Sequence, residues 1–543
     1  MLNYVWLGLL ILGIGTALTT DIIDQSNNRF KNGEPLPIEI IFQDSVSVSK
    51  GGTFNGKIKV SAKDYNEFYG TFRNSDVIVN AKISVNKKNN QIAVYFKVDD
   101  KTPEMWKYMA KVVGKKDDLL GNFKLLKIKD GKRIEGNLIL EEIAFTKMKD
   151  VTNAALDYAG TAVNIALGLI GIMAMWLGVM KVAEEAGLIK IIANAVKPIT
   201  KFLFPDVPPD HPAMGSIIMN MAANMLGLGN AATPFGLKAM EELQTLNDKK
   251  DTATNAMVTF LAVNTAGLTL IPVTAIAVRA AAGSSNPAVI IGTSIFGALC
   301  ATTVGITAAK VLEKFPIPKG EFGNWIKSYK KGLLIFASVI LIIALMFSTG
   351  AFSFVFSKLT FLNPEFFKGI INIISILAIP SLIFLFIGYG AIKKVKVYET
   401  FVEGAKEGFD VAVRIIPYLV AMLVAIGIFR AGGGMKILVA ILEPITNFIG
   451  MPAEALPMAI MRPLSGSGSL GIMAEIIATH GPDSFIGILV STFFGSTETT
   501  FYVLAVYFGS VNIRKTRHAL PAGLLADVAG ILGAVFIVKL LFG

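Results

Sequence analysis

Two kinds of hydrophobic pattern alternate along the chain. Long apolar runs occupy 1–19, 154–180, 253–282, 287–312, 332–350, 369–391, 409–431, 484–509 and 519–541. Each is close to or beyond the ~20 residues a helix needs to cross a bilayer, so about nine spans are expected. Between the first and second lies a stretch of period two: "NGKIKVSAKDY" (55–65), "DVIVNAKISVNKK" (76–88) and "QIAVYFKVDD" (91–100). Apolar positions alternating with polar ones, bounded by Gly, Asn and Asp, predict half-buried strands. Residues 21–150 therefore read as a small β-rich domain inserted behind an N-terminal membrane anchor helix, 1–20. No Lys or Arg precedes that first run, as the basic start of a cleavable signal would require, so the anchor reads as retained. Cleavage near Ala17 is the alternative.

Two further stretches are apolar but interrupted. "PAMGSIIMNMAANMLGLGNAATPFGLKAM" (212–240) and "LPMAIMRPLSGSGSLGIMAEII" (456–477) carry Gly, Asn, Ser or Pro at mid-run. Non-helical backbone at membrane depth survives only against protein or a water-filled cavity, so both are expected to be re-entrant hairpins. Each follows a short amphipathic stretch, "GLIKIIANAVKPIT" (187–200) and "GGMKILVAILEPIT" (433–446), with Pro198 matching Pro444. A broken span and a further span follow each hairpin. The repeating unit is thus span, interfacial helix, hairpin, broken span, span. Its first copy lies in 151–312 and its second in 409–543, with loops and two connecting spans in 313–408.

Composition and charge fix the class. The chain of 543 residues is 53% hydrophobic and only 17% charged, against about 25% charged in soluble domains. A polytopic membrane protein in a lipid bilayer follows. The net charge of +11 does not point to nucleic acid, because the lysines concentrate in short loops between apolar runs, the positive-inside pattern. With the hairpins treated as non-crossing, one set of loops holds nineteen Lys and Arg and the other four. The rich side is then cytoplasmic. The N-terminus lies inside; residues 21–150 and the C-terminus are extracytoplasmic; and the two hairpins enter from opposite sides. The expected fold is an all-α polytopic membrane protein of about nine transmembrane helices plus two re-entrant hairpins in inverted repeats, with an inserted small β-rich extracytoplasmic domain. Inverted repeats with discontinuous helices are an architecture of secondary transporters, whose sites lie near the bilayer midplane.

The polar residues at the interruptions are the candidate chemistry. The first hairpin offers Asn220, Asn224, Asn230 and Thr233, and the broken span after it Asn264, Thr265, Thr269 and Pro272. The second hairpin offers Arg462, Ser465, Ser467, Ser469 and Glu475, and its broken span Ser496, Thr497, Glu498, Thr499 and Thr500. Half-helix ends aimed at one another supply partial charges for a polar solute or ion. Ser, Thr and Asn also glue membrane helices together, at about 0.6 kcal/mol per bond, and for any single Ser or Thr that reading comes first. Glu498 differs, since a carboxylate in a span costs roughly 2.5–3.5 kcal/mol. Its structural alternative is an ion pair with Arg462. Asp527 reads as a second buried acid or as a helix-pairing residue. No metal set emerges from His211, His480 and His518, which are scattered, and Cys300 reads as a packing residue. The run "SGSGS" (465–469) lacks the Lys-Ser/Thr of a phosphate-binding loop, which excludes nucleotide hydrolysis. No nucleophile–base pair, cofactor motif or other enzymatic constellation stands out.

At these residues the sequence resembles a known family. "PPDHPAMGSIIMNMAANMLGLGNAATPFGLKAM" and "DTATNAMVTFLAVNT" resemble spore maturation protein A, and "MRPLSGSGSLGIMAEII", "HGPDSFIGILVSTFFGSTETTFYVLAVYFGS" and "KTRHALPAGLLADVAG" resemble spore maturation protein B. The chain looks like a fusion of the two, in that order, with the insert at 21–150 as a departure. The resemblance implies a nucleoside-recognition, or gate, domain whose core is similar to concentrative nucleoside transporters. It also implies a bacterial cytoplasmic (inner) membrane and an association with spore maturation. The expected function is a transporter or permease that moves or binds a small polar solute, with a nucleoside-like compound and a coupling cation both open. The alternative is a non-transporting membrane receptor or assembly factor acting through the extracytoplasmic domain. Gate-type transporters often oligomerise, which leaves a homo-oligomer open.

Overall fold

The computed structural model describes residues 2–43, 51–86, 91–113, 118–227, 232–313, 330, 334 and 364–543. They form two compact units, one comprising Leu7–Leu156 with Gly427–Lys436 and the other Met1–Trp6, Asp157–Ile426 and Ile437–Gly543.

In the first unit, most of α1 (Leu2–Ser26) leads into a closed antiparallel barrel. The strands are β1 (Leu36–Phe42), β2 (Gly52–Val60), β3 (Val77–Asn86), β4 (Gln91–Lys97), β5 (Asp118–Asp130) and β6 (Arg133–Leu140). They pair in sequence order, and β1 closes on β6 with Ile40 opposite Ile134. Closure leaves no unpaired edge. The period-two pattern sets the inside: Val77, Val79, Ala81, Ile83 and Val85 of β3 are all buried. Two helices join them, α2 (Ala62–Tyr69) and α3 (Glu104–Val113), and bring Tyr65 and Trp106 into the same core. The alternation read as one strand over 55–65 ends at Val60. Ser61 accepts a hydrogen bond from the Asp64 N–H at 3.0 Å and starts α2, which Gly70 stops at a φ of 64°. A local cap therefore overrides the pattern.

The second unit is helical. After α4 (Thr146–Glu185) come α5 (Leu188–Leu203), α6 (Pro212–Met225), α7 (Thr233–Thr245), α8 (Asn255–Ala266), α9 (Val273–Ala281) and α10 (Ile290–Leu312). Then follow α11 (Pro364–Ile392), α12 (Val397–Ala431), α13 (Gly434–Ile449), α14 (Leu456–Leu464), α15 (Gly466–His480), α16 (Phe485–Ser496), α17 (Thr500–Ser510) and α18 (Ala519–Phe542). The order α4 to α10 recurs as α12 to α18, down to Pro198 within α5 and Pro444 within α13. The first helices of the two copies pack at glycines. A Cβ on Gly408 would lie 2.6 Å from the Ala174 Cα, and one on Gly178 2.8 Å from the Phe401 ring. Small residues permit such close membrane-helix packing.

Among the described residues, six helices are long and apolar enough to cross a membrane: Trp6–Ser26, Thr146–Glu185, Pro287–Leu312, Ile373–Ile392, Val397–Ala431 and Ala519–Phe542. The runs expected as spans at 253–282 and 484–509 are each two half-helices, α8/α9 and α16/α17. The run expected at 332–350 lies outside the described residues. The chain is a mostly helical, multi-pass membrane protein carrying a small six-stranded barrel.

Candidate binding site at the helix breaks

The two broken spans interrupt for different reasons. In the first, Gly267 adopts a left-handed φ of 56° and ends α8, and Pro272 precedes α9. In the second, Thr497 is extended at φ −144°, ψ 165°, and α17 restarts after Thr499. The freed backbone groups find partners close by. The Leu270 N–H bonds to the Met225 carbonyl of the first hairpin at 2.9 Å, and the Glu498 N–H bonds to the Thr265 carbonyl at 2.8 Å. In the second hairpin, Arg462 donates to the Thr497 carbonyl. Each break is thus bonded to its own hairpin, and the two breaks are bonded to each other. Buried backbone demands this satisfaction. The contact is close: a Cβ on Gly267 would lie 2.7 Å from Glu498 Cγ.

The first copy contributes amides. Asn224 Nδ2 donates to Asn264 Oδ1 at 3.0 Å and to Asn220 Oδ1 at 3.3 Å, while Asn264 Nδ2 donates to the Phe260 carbonyl at 2.9 Å. Asn220 Nδ2 donates to the Ala232 carbonyl at 3.0 Å. Tyr507, from α17 of the second copy, reaches this cluster. Its hydroxyl lies 3.5 Å from both Asn220 Nδ2 and Asn264 Oδ1, and its ring stacks on Phe260 at 5.9 Å. Tyr507 was not among the expected residues. The only trace in the sequence is a hydroxyl-bearing ring two turns beyond the second break, one of two tyrosines in that run with Tyr502.

The second copy contributes charge. Arg462 lies 3.6 Å from Glu498, and the Arg462 side chain is 3% exposed while that of Glu498 is 45% exposed. The guanidinium also sits over the Phe494 ring at 4.4 Å. The carboxylate is thus anchored by a buried cation and open on its other side. Behind it, Thr500 Oγ1 donates to Asp527 Oδ2. Ser465 caps α15 by accepting from the Gly468 N–H at 3.0 Å, and Ser467 lies 3.4 Å from it. A Cβ on Gly466 would lie 3.1 Å from Thr499 Oγ1, which brings the hairpin tip to the break.

Not every expected residue gathers here. Glu475 sits in α15 some nine residues beyond Gly466, about 14 Å along the helix axis, where it accepts from Tyr158 at 3.3 Å and Thr479 at 3.0 Å. Ser469 bonds back to the Gly466 carbonyl at 2.9 Å, and Ser496 to the Thr492 carbonyl at 2.6 Å. Both behave as helix glue. Thr233 stands at the start of α7, half-buried. Asn230 lies outside the described residues.

Two clasps hold the outer ends of the broken spans. In the last turn of α9, buried Arg279 pairs with Asp483, ahead of α16, at 2.9 Å, and Asp483 also accepts from the Ser285 N–H and hydroxyl at 2.8 Å. Beyond α17, Lys515 pairs with Asp251, ahead of α8, at 3.0 Å, and the Ala253 N–H donates to the Lys515 carbonyl at 3.0 Å. The end of each span is thereby tied to the start of the other, so the two broken spans run antiparallel. Partial burial works to raise the Asp483 carboxyl, but bonds from Ser284 and Ser285 and the Arg279 charge hold it below the usual carboxylate range.

The comparisons agree with this duplicated architecture. A family model for the gate domain, described as nucleoside recognition, matches residues 166–282 and 412–514, which enclose both hairpins and both breaks. Spore maturation protein B of Bacillus subtilis (strain 168) is 53% identical over 174 residues, 32% of this chain and 98% of that protein. Spore maturation protein A of the same organism is 50% identical over 152 residues, 28% of this chain and 78% of that protein. No solved structure matches. The chain belongs to the family of spore maturation proteins A and B, as a fusion of the two, and each half contains a segment that matches the nucleoside-recognition model.

Proposed function

We propose that this protein is a transporter or permease of the inner membrane that binds and moves a small polar solute at the meeting point of the two breaks. The observation that carries the reading is the backbone bond between the breaks, with amides converging from one copy and an ion-paired, half-open carboxylate from the other. Antiparallel broken spans support inverted repeats, and loop charge supports hairpins entering from opposite sides with the barrel outside the cytoplasm. Amide and carboxylate groups match the hydroxyls and ring nitrogens of a nucleoside-like compound, the ligand class that the family's description names. The test is flux of labelled nucleosides and small polar metabolites into liposomes holding the full chain. Saturable uptake lowered at least about tenfold by Glu498→Gln, or about 1.4 kcal/mol of lost stabilisation, is expected. Absence of flux and of binding across the panel, in wild type as in variant, overturns the reading.

A second reading, receptor or assembly factor, is favoured by the barrel, whose closed core is its own and whose Phe72 is fully exposed. Deleting 25–148 separates the two: a transporter keeps its flux, whereas a receptor loses its phenotype.

A further inference from the structure

Arg462, Glu498 and Asp527 form one electrostatic group, and its charges do not balance. Arg462 is held by Glu498 at 3.6 Å. Asp527 is 1% exposed, and among the described residues no Lys, Arg or His lies within ion-pair distance of it. Its Oδ2 takes the Thr500 hydroxyl, while its Oδ1 has no hydrogen-bond partner. The hydroxyl of Thr497, on the same break, is likewise buried and unpartnered. Thr497 and Asp527 face the same strip of α18: a Cβ on Gly530, one turn beyond Asp527, would meet the Thr497 side chain, and one on Gly523, one turn before, would lie 2.8 Å from Thr500 Cγ2. The neighbouring elements offer no other counter-charge. Among the described residues, α8, α16 and α17 carry no Lys, Arg, His, Asp or Glu; α10 carries only Lys310, in its last turn; and α11 carries none from Gly369 to Ile392. The remaining titratable neighbours are Cys300, which faces Gly533, and Tyr502 and Tyr507 of α17.

One cation against two carboxylates leaves a single uncompensated negative charge in a buried, mostly apolar setting. Desolvating such a charge is costly unless something neutralises it. We infer that Asp527, with the hydroxyls of Thr500 and Thr497, is the site of one exchangeable monovalent cation, a proton or a sodium ion, distinct from the solute-contacting Glu498. This deepens the transport reading above by assigning its coupling ion, but binding of the cation is measurable whether or not any solute moves. Glu498 is the poorer carrier because Arg462 already compensates it.

The experiment uses the full chain in nanodiscs. Radioactive sodium binding is measured against choline chloride, and the infrared carbonyl stretch of a protonated carboxylic acid is followed through a pH titration. Saturable sodium binding identifies sodium as the ion, and a protonated-acid band that bleaches on raising pH identifies the proton. Either signal is expected in wild type and absent in Asp527→Asn. Thr500→Val keeps the charge and the shape, and is expected to weaken sodium binding about tenfold, roughly 1.4 kcal/mol, or to displace the band. Glu498→Gln is expected to suppress the signal as well, because Arg462 then balances Asp527. Neither signal in folded wild-type protein, or a signal unchanged in folded Asp527→Asn, overturns the proposal. Should Asp527→Asn fail to fold, an unchanged signal in Thr500→Val does the same. Loss of solute flux with the cation signal intact counts against the transport reading alone.

Discussion

The two breaks meet as partners but are built from opposite materials. The first is made by backbone: Gly267 turns left-handed, Pro272 follows, and the polar contribution is a network of neutral amides around Asn264. The second keeps ordinary backbone angles and β-branched residues, and its polar contribution is charge, Glu498 against Arg462 with Asp527 behind. A duplicated architecture has therefore diverged at the point where the copies touch. Hydrogen-bond recognition sits in one half and electrostatics in the other. Amides hold a fixed geometry at little desolvation cost, whereas a carboxylate in a membrane protein is retained only where it is paired or used.

That contrast ranks the effects of breaking each half. Arg462→Met should be the most damaging, since it strands Glu498 and frees the Thr497 carbonyl. Loss of one partner from a fully buried pair costs about 3–5 kcal/mol; with Glu498 half-open, about 2–4 kcal/mol is expected, read as the largest fall in thermal midpoint of detergent-solubilised protein. A silent Arg462→Met would mean that the second break is not held by charge. Asn264→Ala should cost less, about 1–3 kcal/mol, because it leaves the Asn224 amide and the Tyr507 hydroxyl short of an acceptor. Tyr507→Phe should reproduce the smaller part of that loss, and no effect would remove the link from the second copy to the amides.

The smallest effect concerns the clasps and acid. The Asp483 carboxyl is held below its ordinary value, so its contribution is fully present above the ordinary carboxylate range and is lost as pH falls through the lowered folded value. Asp483→Asn should therefore lower the thermal midpoint at neutral pH and converge with wild type in strong acid. A difference that instead widened with acid would contradict the assignment.

Much of this was legible in the sequence, and the limits have physical causes. Periodicity marked the spans and the barrel strands, and mid-run Gly, Asn and Ser marked the breaks, because apolar faces and interrupted helices leave local traces. The matched Pro198 and Pro444 revealed the duplication. Partners hundreds of residues apart leave none. Tyr507 reads as one more aromatic in an apolar run until α17 is packed on α8, and Arg279 reads as the end of a span until Asp483 closes over it. Glu475 shows the other limit: it shares a hairpin with Ser465, but the rise of α15 places it beside Tyr158, away from the hairpin tip. The strand expected through residue 65 failed because Ser61 offers the backbone a cap that hydropathy does not register.

The central claim is that the two breaks form one site. A double-mutant cycle on Asn264→Ala and Glu498→Gln tests it most directly, with binding of a nucleoside panel to the full chain as the readout. Both single variants should weaken binding of the same solute about tenfold or more, with effects that couple by more than about 0.5 kcal/mol. Purely additive effects, or a solute sensitive to one break and indifferent to the other, would contradict it.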